Sequence, residues 1–192
     1  QCLVGSEMCI RDSTWGEGGY QTVHAFDVTA SQGAVFIRDK RKLVVVLEQD
    51  VQPGSAARVP IYSRSVNLQE AMGTYAVAAR NDGFLYVTGQ NKNMIYLFDP
   101  ADIRAGDTGF APYLVTLGFE KSPQAIAFVG DRLFVTLRVD DKRSELWEIS
   151  PKNGKLLQDF TDSMVYPEKI AGARHTLLVV DRATQTVKAI GL

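Results

Sequence analysis

The sequence predicts an all-β fold: a β-propeller of about four blades, each a sheet of four antiparallel strands, forming an open arc of a larger ring. Three observations predict it. Four segments repeat one pattern, an apolar stretch, a tight polar turn and a stronger apolar run: AVFIRDKRKLVVVLEQD from Ala34, AVAARNDGFLYVTGQN from Ala76, AIAFVGDRLFVTLRVDD from Ala125 and KIAGARHTLLVVDRAT from Lys169. Val35, Val77, Ile126 and Ile170 hold matching places, 42, 49 and 44 residues apart, the period of a four-stranded propeller blade. The runs after the turns, such as Leu43 to Leu47 and Leu177 to Val180, do not alternate, as expected of strands covered on both faces.

The elements follow in order. Each repeat opens with a hairpin, whose turns are read at Asp39-Lys40-Arg41, Asn81-Asp82-Gly83, Gly130-Asp131 and Arg174-His175; Gly, Asn and Asp tolerate the positive φ such turns need. Third strands are expected at Val59 to Tyr62, Met94 to Phe98, Glu145 to Ile149 and Val187 to Ile190. Fourth strands are expected within Val66 to Met72, at Tyr113 to Leu117 and in LLQDF after the Pro-Lys-Asn-Gly turn at 151–154. Single helical turns at Leu68 to Met72 and Pro100 to Ala105 complete the reading. The blades then span about 33–73, 75–118, 123–161 and 168–192, with 21–28 an outer strand of a preceding or closing blade. Pairing of that strand with the last blade gives the competing arrangement, a closed ring of four.

Residues 1–19 are set apart from the propeller domain, 20–192, as artefactual or disordered. The stretch Gln1 to Ser13 resembles a translated sequencing adapter, a segment to exclude from fold reasoning. Both cysteines, Cys2 and Cys9, lie in it, so disulfides, thiol chemistry and Cys-held metals have no residues in the rest.

Composition narrows the function classes. With 21 Lys+Arg against 22 Asp+Glu, no basic field exists to draw a phosphate backbone, so nucleic acid is not an expected partner. No apolar run approaches the ~20 residues of a membrane helix. No Walker loop, GxSxG elbow, HExxH or EF-hand signature occurs. The two histidines, His24 and His175, have no partners in sequence that would make a triad or a metal site.

The segment LYVTGQNKNMIYLFDP, Leu85 to Pro100, resembles the YVTN-type β-propeller repeat of YncE-like proteins. Tyr86-Val87-Thr88 match the motif, with Gly89 in place of its Asn; Asn91 and Asn93 suit its loop and Asp99 its strand end. The third repeat matches less closely through Leu133-Phe134-Val135-Thr136. The resemblance implies a scaffold whose repeats are structural, and a periplasmic or secreted location. Related NHL, SMP-30-like and PQQ-like propellers share much of the pattern.

Propellers bind ligands on the face carrying the loops that lead into the inner strand and those joining strands two and three. On the register above, these loops offer Gln32, Thr74, Gln124 and Glu168, then Gln49 and Asp50, Asn91 and Lys92, Arg138 to Arg143, and Asp181 and Arg182. Glu168, Gln124, Asn91, Arg138 and Asp181 are the expected ligand-binding residues, taking a protein or a small molecule; no catalytic or metal residue is assigned. Tyr-Pro-Glu-Lys at 166–169 resembles the Pro-Glu-Gly of SMP-30-like propellers, which implies Ca²⁺ at Glu168 with Asp181 as a second carboxylate, although calcium wants several oxygen ligands. The expected function is a non-catalytic binding scaffold that joins the remaining blades of a parent ring. The alternative is part of a propeller enzyme, a calcium-dependent lactonase or a PQQ-like redox protein.

Overall fold

The computed structural model describes residues 25–39, 42–47, 64–67, 76–89, 93–99 and 113–192. They form fifteen strands in four antiparallel sheets. Sheet one holds β1 (Ala25–Ser31), β2 (Ala34–Asp39), β3 (Lys42–Leu47) and β4 (Arg64–Asn67). Sheet two holds β5 (Val77–Ala79), β6 (Leu85–Gly89), β7 (Met94–Phe98) and β8 (Tyr113–Gly118). Sheet three holds β9 (Ser122–Val129), β10 (Arg132–Arg138), β11 (Ser144–Ile149) and β12 (Leu156–Asp159). Sheet four has three strands, β13 (Pro167–Ala173), β14 (Thr176–Asp181) and β15 (Thr186–Gly191). Within each sheet every strand pairs with its neighbour in sequence.

The sheets stack face to face. Their first strands, β1, β5, β9 and β13, lie side by side and are the inner strands. Three apolar layers fill the gaps between sheets. Phe36 and Leu43 meet Val77, Leu85 and Val87 between sheets one and two. Tyr86 and Ile95 meet Ile126, Leu133 and Val135 between sheets two and three. Phe134 and Leu146 meet Leu177 and Val179 between sheets three and four. A second strand thus sends alternate side chains into two different layers, which is why its apolar run is unbroken. The four sheets make an open arc and not a closed ring.

The first repeat corrects the sequence reading by one strand. Ala25–Ser31 is the inner strand of sheet one, not an outer strand of a preceding blade, because it pairs along its length with Ala34–Asp39. Their hairpin turns at Gln32 (φ 48°) and Gly33 (φ 69°), two positive values in succession, as a primed turn requires. Lys42–Leu47 is the third strand and Arg64–Asn67 the fourth. Val28, paired with Ile37, is therefore the true counterpart of Val77, Ile126 and Ile170, which pair with Val87, Val135 and Val179. The spacing becomes 49, 49 and 44 residues, more even than the sequence suggested. The physical reason lies in polar side chains. Where sheets two and three carry Ala76, Ala78, Ala125 and Ala127, β1 carries Asp27 and Thr29. Asp27 Oδ2 accepts the Val77 N–H at 2.8 Å and Thr29 Oγ1 accepts the Ala79 N–H at 3.1 Å. Ser31 Oγ–H donates to the Arg80 carbonyl at 2.9 Å. The expected strand at Val59 to Tyr62, the two helical turns and residues 1–19 lie outside the described residues.

Candidate functional site

Two β-bulges prepare the site. In sheet three the ladder between β9 and β10 passes from Ala125↔Thr136 to Pro123↔Leu137, leaving Gln124 as the extra residue. In sheet four it passes from Lys169↔Val180 to Pro167↔Asp181, leaving Glu168 extra. A bulge re-aims the side chain it carries. Gln124 and Glu168 thus hold the same place in successive sheets, at the end of the inner strand away from the hairpin turn. Arg138 and Arg182, one residue beyond Leu137 and Asp181, are likewise equivalent.

These four residues line one cavity of about 450 Å³, together with Asp141, Tyr166 and Lys169. Among the described residues that line it, three cations face two carboxylates. Arg138 pairs with Asp141. Arg182 Nη1 lies 3.4 Å from Glu168 Oε1, and its guanidinium stands over the Tyr166 ring, 5.6 Å from the centroid. The Arg182 N–H donates to the Tyr166 carbonyl at 2.9 Å, which ties the loop after β14 to the segment leading into β13. Among the described residues Lys169 has no ion pair, and its charge reaches toward Asp27 of sheet one.

Of the five expected ligand-binding residues, the structure gathers Gln124, Arg138 and Glu168 around this cavity. Asn91 lies outside the described residues. Asp181 does not line the cavity; it is fully buried. Its Oδ1 accepts the N–H groups of Tyr166 (3.0 Å) and Ala183 (3.2 Å), and its Oδ2 accepts that of Val165 (3.1 Å) with Lys188 Nζ at 3.5 Å. Burial disfavours its charge, but those hydrogen bonds and Lys188 outweigh burial and hold the carboxyl below its ordinary range. Asp181 is a staple for the segment entering β13, with no lone pair directed at a ligand. Gln32 is also misplaced by the sequence reading: it sits in the β1–β2 turn, against Asn81, at the opposite end of the sheets.

Sequence reasoning set Arg182 among the face loops without counting it as ligand-binding, and assigned no binding role to Tyr166 or Lys169. The signal for Arg182 was present, since it follows Asp181 as Arg138 follows Leu137. Tyr166 had none, because the matching position is Ser122. As to a metal, among the described residues no three His, Cys, Asp or Glu side chains converge. Glu168 has Arg182 as its partner and Lys169 beside it, a cationic setting that opposes a divalent ion.

The same stacking of sheets is found in solved structures. The chain superposes in full on 49% of the hydrazine synthase of Kuenenia stuttgartiensis, with a TM-score of 0.61 and 14% identity. Over 88% of its length it matches 53% of the β-propeller domain of Cps50 (Swd1) of Myceliophteria thermophila, TM-score 0.56 and 16% identity. The fold is that of a β-propeller. The sheets are therefore blades. Glutaminyl cyclase of Myxococcus xanthus is a third such structure, matched over 87% of this chain and 66% of that one at TM-score 0.58 and 12% identity. At these identities the likeness is one of fold. The chain spans about half the length of two of these proteins. No family model matches the sequence, and no curated protein matches it significantly.

Proposed function

We propose that this propeller is a non-catalytic binding module, and that the cavity between its third and fourth blades takes a small carboxylate-bearing molecule. One observation carries the reading: equivalent positions of two adjacent blades supply Arg138 and Arg182, and Lys169 joins them, around a space of about 450 Å³. That volume lies in the range of small-molecule sites, roughly 300–1,000 Å³. Among the described lining residues, three cations stand against two carboxylates, a positive excess that suits an anion. Guanidinium groups meet carboxylates through two parallel hydrogen bonds. A ligand carboxylate would compete with Asp141 and Glu168 for the two arginines, and the 3.4 Å spacing of Arg182 and Glu168 is a long contact that such a ligand can replace. The YVTN-type character belongs to the same reading. Thr88 of the motif and Thr136 in the third blade have the same structural role, as a scaffold of equivalent repeats requires. The enzyme alternative has the cationic surroundings of Glu168 against it, since a calcium-dependent hydrolase needs oxygen ligands there.

The test is titration with citrate, glutamate, acetate and an acidic peptide, followed by NMR shifts of the 122–141 and 164–184 amides. Saturable binding of a small carboxylate is expected. Arg138→Ala and Arg182→Ala should each weaken it by ~10–100-fold, the worth of a charged hydrogen bond. Binding of the peptide alone would move the reading to a protein partner. Absence of any saturable binding, or affinity indifferent to both substitutions, would end it.

A further inference from the structure

The cavity between the third and fourth blades is built from a repeated couple. In blade three it is the bulge residue Gln124 with Arg138, and in blade four Glu168 and Arg182 hold the same two places. Each couple sets an acceptor beside a donor. Gln124 Nε2 donates to Ser122 Oγ at 3.1 Å, which leaves its carbonyl oxygen as the acceptor it offers. Glu168 meets Arg182 through a single long contact, Oε1 to Nη1 at 3.4 Å. An ion pair that closes on itself looks different in this protein. Arg132 Nε and Nη2 donate to Glu148 Oε1 and Oε2 at 2.9 and 2.7 Å, and Glu148 is buried. Against that standard Glu168 and Arg182 are half-used: among the described residues the second carboxylate oxygen and the remaining guanidinium N–H groups have no hydrogen-bond partner, and the two side chains are 40% and 64% exposed.

We propose that the ligand of this cavity is an acidic α-amino acid, which presupposes the carboxylate binding proposed above. A plain carboxylate that captures Arg182 strips Glu168 of its partner and sets two like charges side by side, which is unfavourable. A ligand ammonium removes that cost. It takes the place of the guanidinium against Glu168 and adds a hydrogen bond to the Gln124 carbonyl, so the ion pair that is broken is replaced by two that form. An α-amino acid carries its ammonium and carboxylate on one carbon, side by side as the heads of Glu168 and Arg182 are. The second carboxylate of an acidic amino acid answers Lys169, a lining cation with no ion pair among the described residues. The described lining residues carry a positive excess, and an acidic amino acid brings the matching negative one.

Calorimetric titration of the chain with L-glutamate, glutarate and L-alanine tests the proposal. Glutarate has both carboxylates and no ammonium; alanine has the zwitterion and no second carboxylate. Glutamate should bind about tenfold or more tightly than either, the worth of one charged hydrogen bond. Glu168→Gln keeps the shape and removes the charge, and should bring glutamate and glutarate to the same affinity. Gln124→Ala should weaken glutamate and leave glutarate unchanged, and it keeps the test open if Glu168→Gln fails to fold. Glutarate binding as tightly as glutamate would overturn the proposal and leave the carboxylate reading standing. Alanine binding as tightly as glutamate, or a preference for glutamate that survives both substitutions, would overturn it as well. No saturable binding of glutamate or glutarate would end both readings.

Discussion

Thr88 and Thr136 occupy the same place in adjacent blades, and each hydroxyl oxygen accepts the backbone N–H of an inner-strand alanine. The distances are 3.1 Å to Ala76 and 3.0 Å to Ala125. Both threonines are fully buried. The bond satisfies an N–H where the ladder breaks at the bulge beside Gln124. Thr136→Val keeps the shape and removes the acceptor, leaving a buried N–H unpaired, which costs about 1–3 kcal/mol. For a domain of this size that lowers the melting midpoint by roughly 2–4 °C per kcal/mol. Thr136→Ser should recover much of the loss. Equal midpoints for the valine and serine variants would show that the hydroxyl contributes nothing.

Gly172 sets how closely the third and fourth blades approach. A Cβ there would stand 1.8 Å from the Phe128 carbonyl oxygen, a backbone atom that cannot step aside. Gly172→Ala should therefore cost about 3 kcal/mol or more, since it forces the blades apart. Gly118 has open space around its would-be Cβ, and Gly118→Ala should stay within about 0.5 kcal/mol of wild type. Chemical denaturation of both variants checks the contrast, which fails if the two fall together.

The repeat, the non-alternating runs and most strand positions were legible because the layers between blades are apolar and their periodicity is written in Val, Leu, Ile and Phe. The first blade was misread because its inner strand satisfies the next blade with Asp27, Thr29 and Ser31 and so looks like a polar edge. Gln124, Arg138 and Glu168 were legible because repeat alignment alone carries them to one end of the sheets. Asp181 was not. Sequence gives a carboxylate beside a loop but not its direction, and here three N–H groups turn it inward. Tyr166 belongs to a segment with no repeat signal, tied to the fourth blade by Asp181 and Arg182.

Asp181 makes a prediction with a definite sign. Its carboxyl titrates below the ordinary 3.8, so the folded chain binds the proton more weakly than the unfolded one. The stabilisation is complete above the unfolded value and is lost as pH falls through the folded one. Asp181→Ala removes an acceptor for three N–H groups and should cost roughly 3 kcal/mol at pH 7. The gap between wild type and variant should narrow below about pH 4. A gap that is constant from pH 7 to pH 3 would mean the charge plays no part.

Asp27 carries the opposite sign. Burial between the first two blades pushes its carboxyl above 3.8, and the Val77 N–H, the charge of Lys169 and the Val28 N–H only partly offset it. Here the folded chain binds the proton more tightly than the unfolded one. The associated stability is therefore present below the unfolded value and is lost as pH rises through the raised one. Asp27→Asn keeps an oxygen for the Val77 N–H, which Oδ2 now accepts at 2.8 Å, gives up the adjacent Val28 N–H that Oδ1 accepts at 3.0 Å, and removes the buried charge. It should leave stability near wild type at pH 4 and raise it at pH 7, by an amount read as the difference in denaturant midpoint. Combining Asp27→Asn with Asp181→Ala should remove both pH-dependent contributions, because the residues act on different interfaces and their effects add. If Asp27→Asn were less stable than wild type at pH 7, the carboxylate's two N–H bonds and its attraction to Lys169 would together outweigh desolvation.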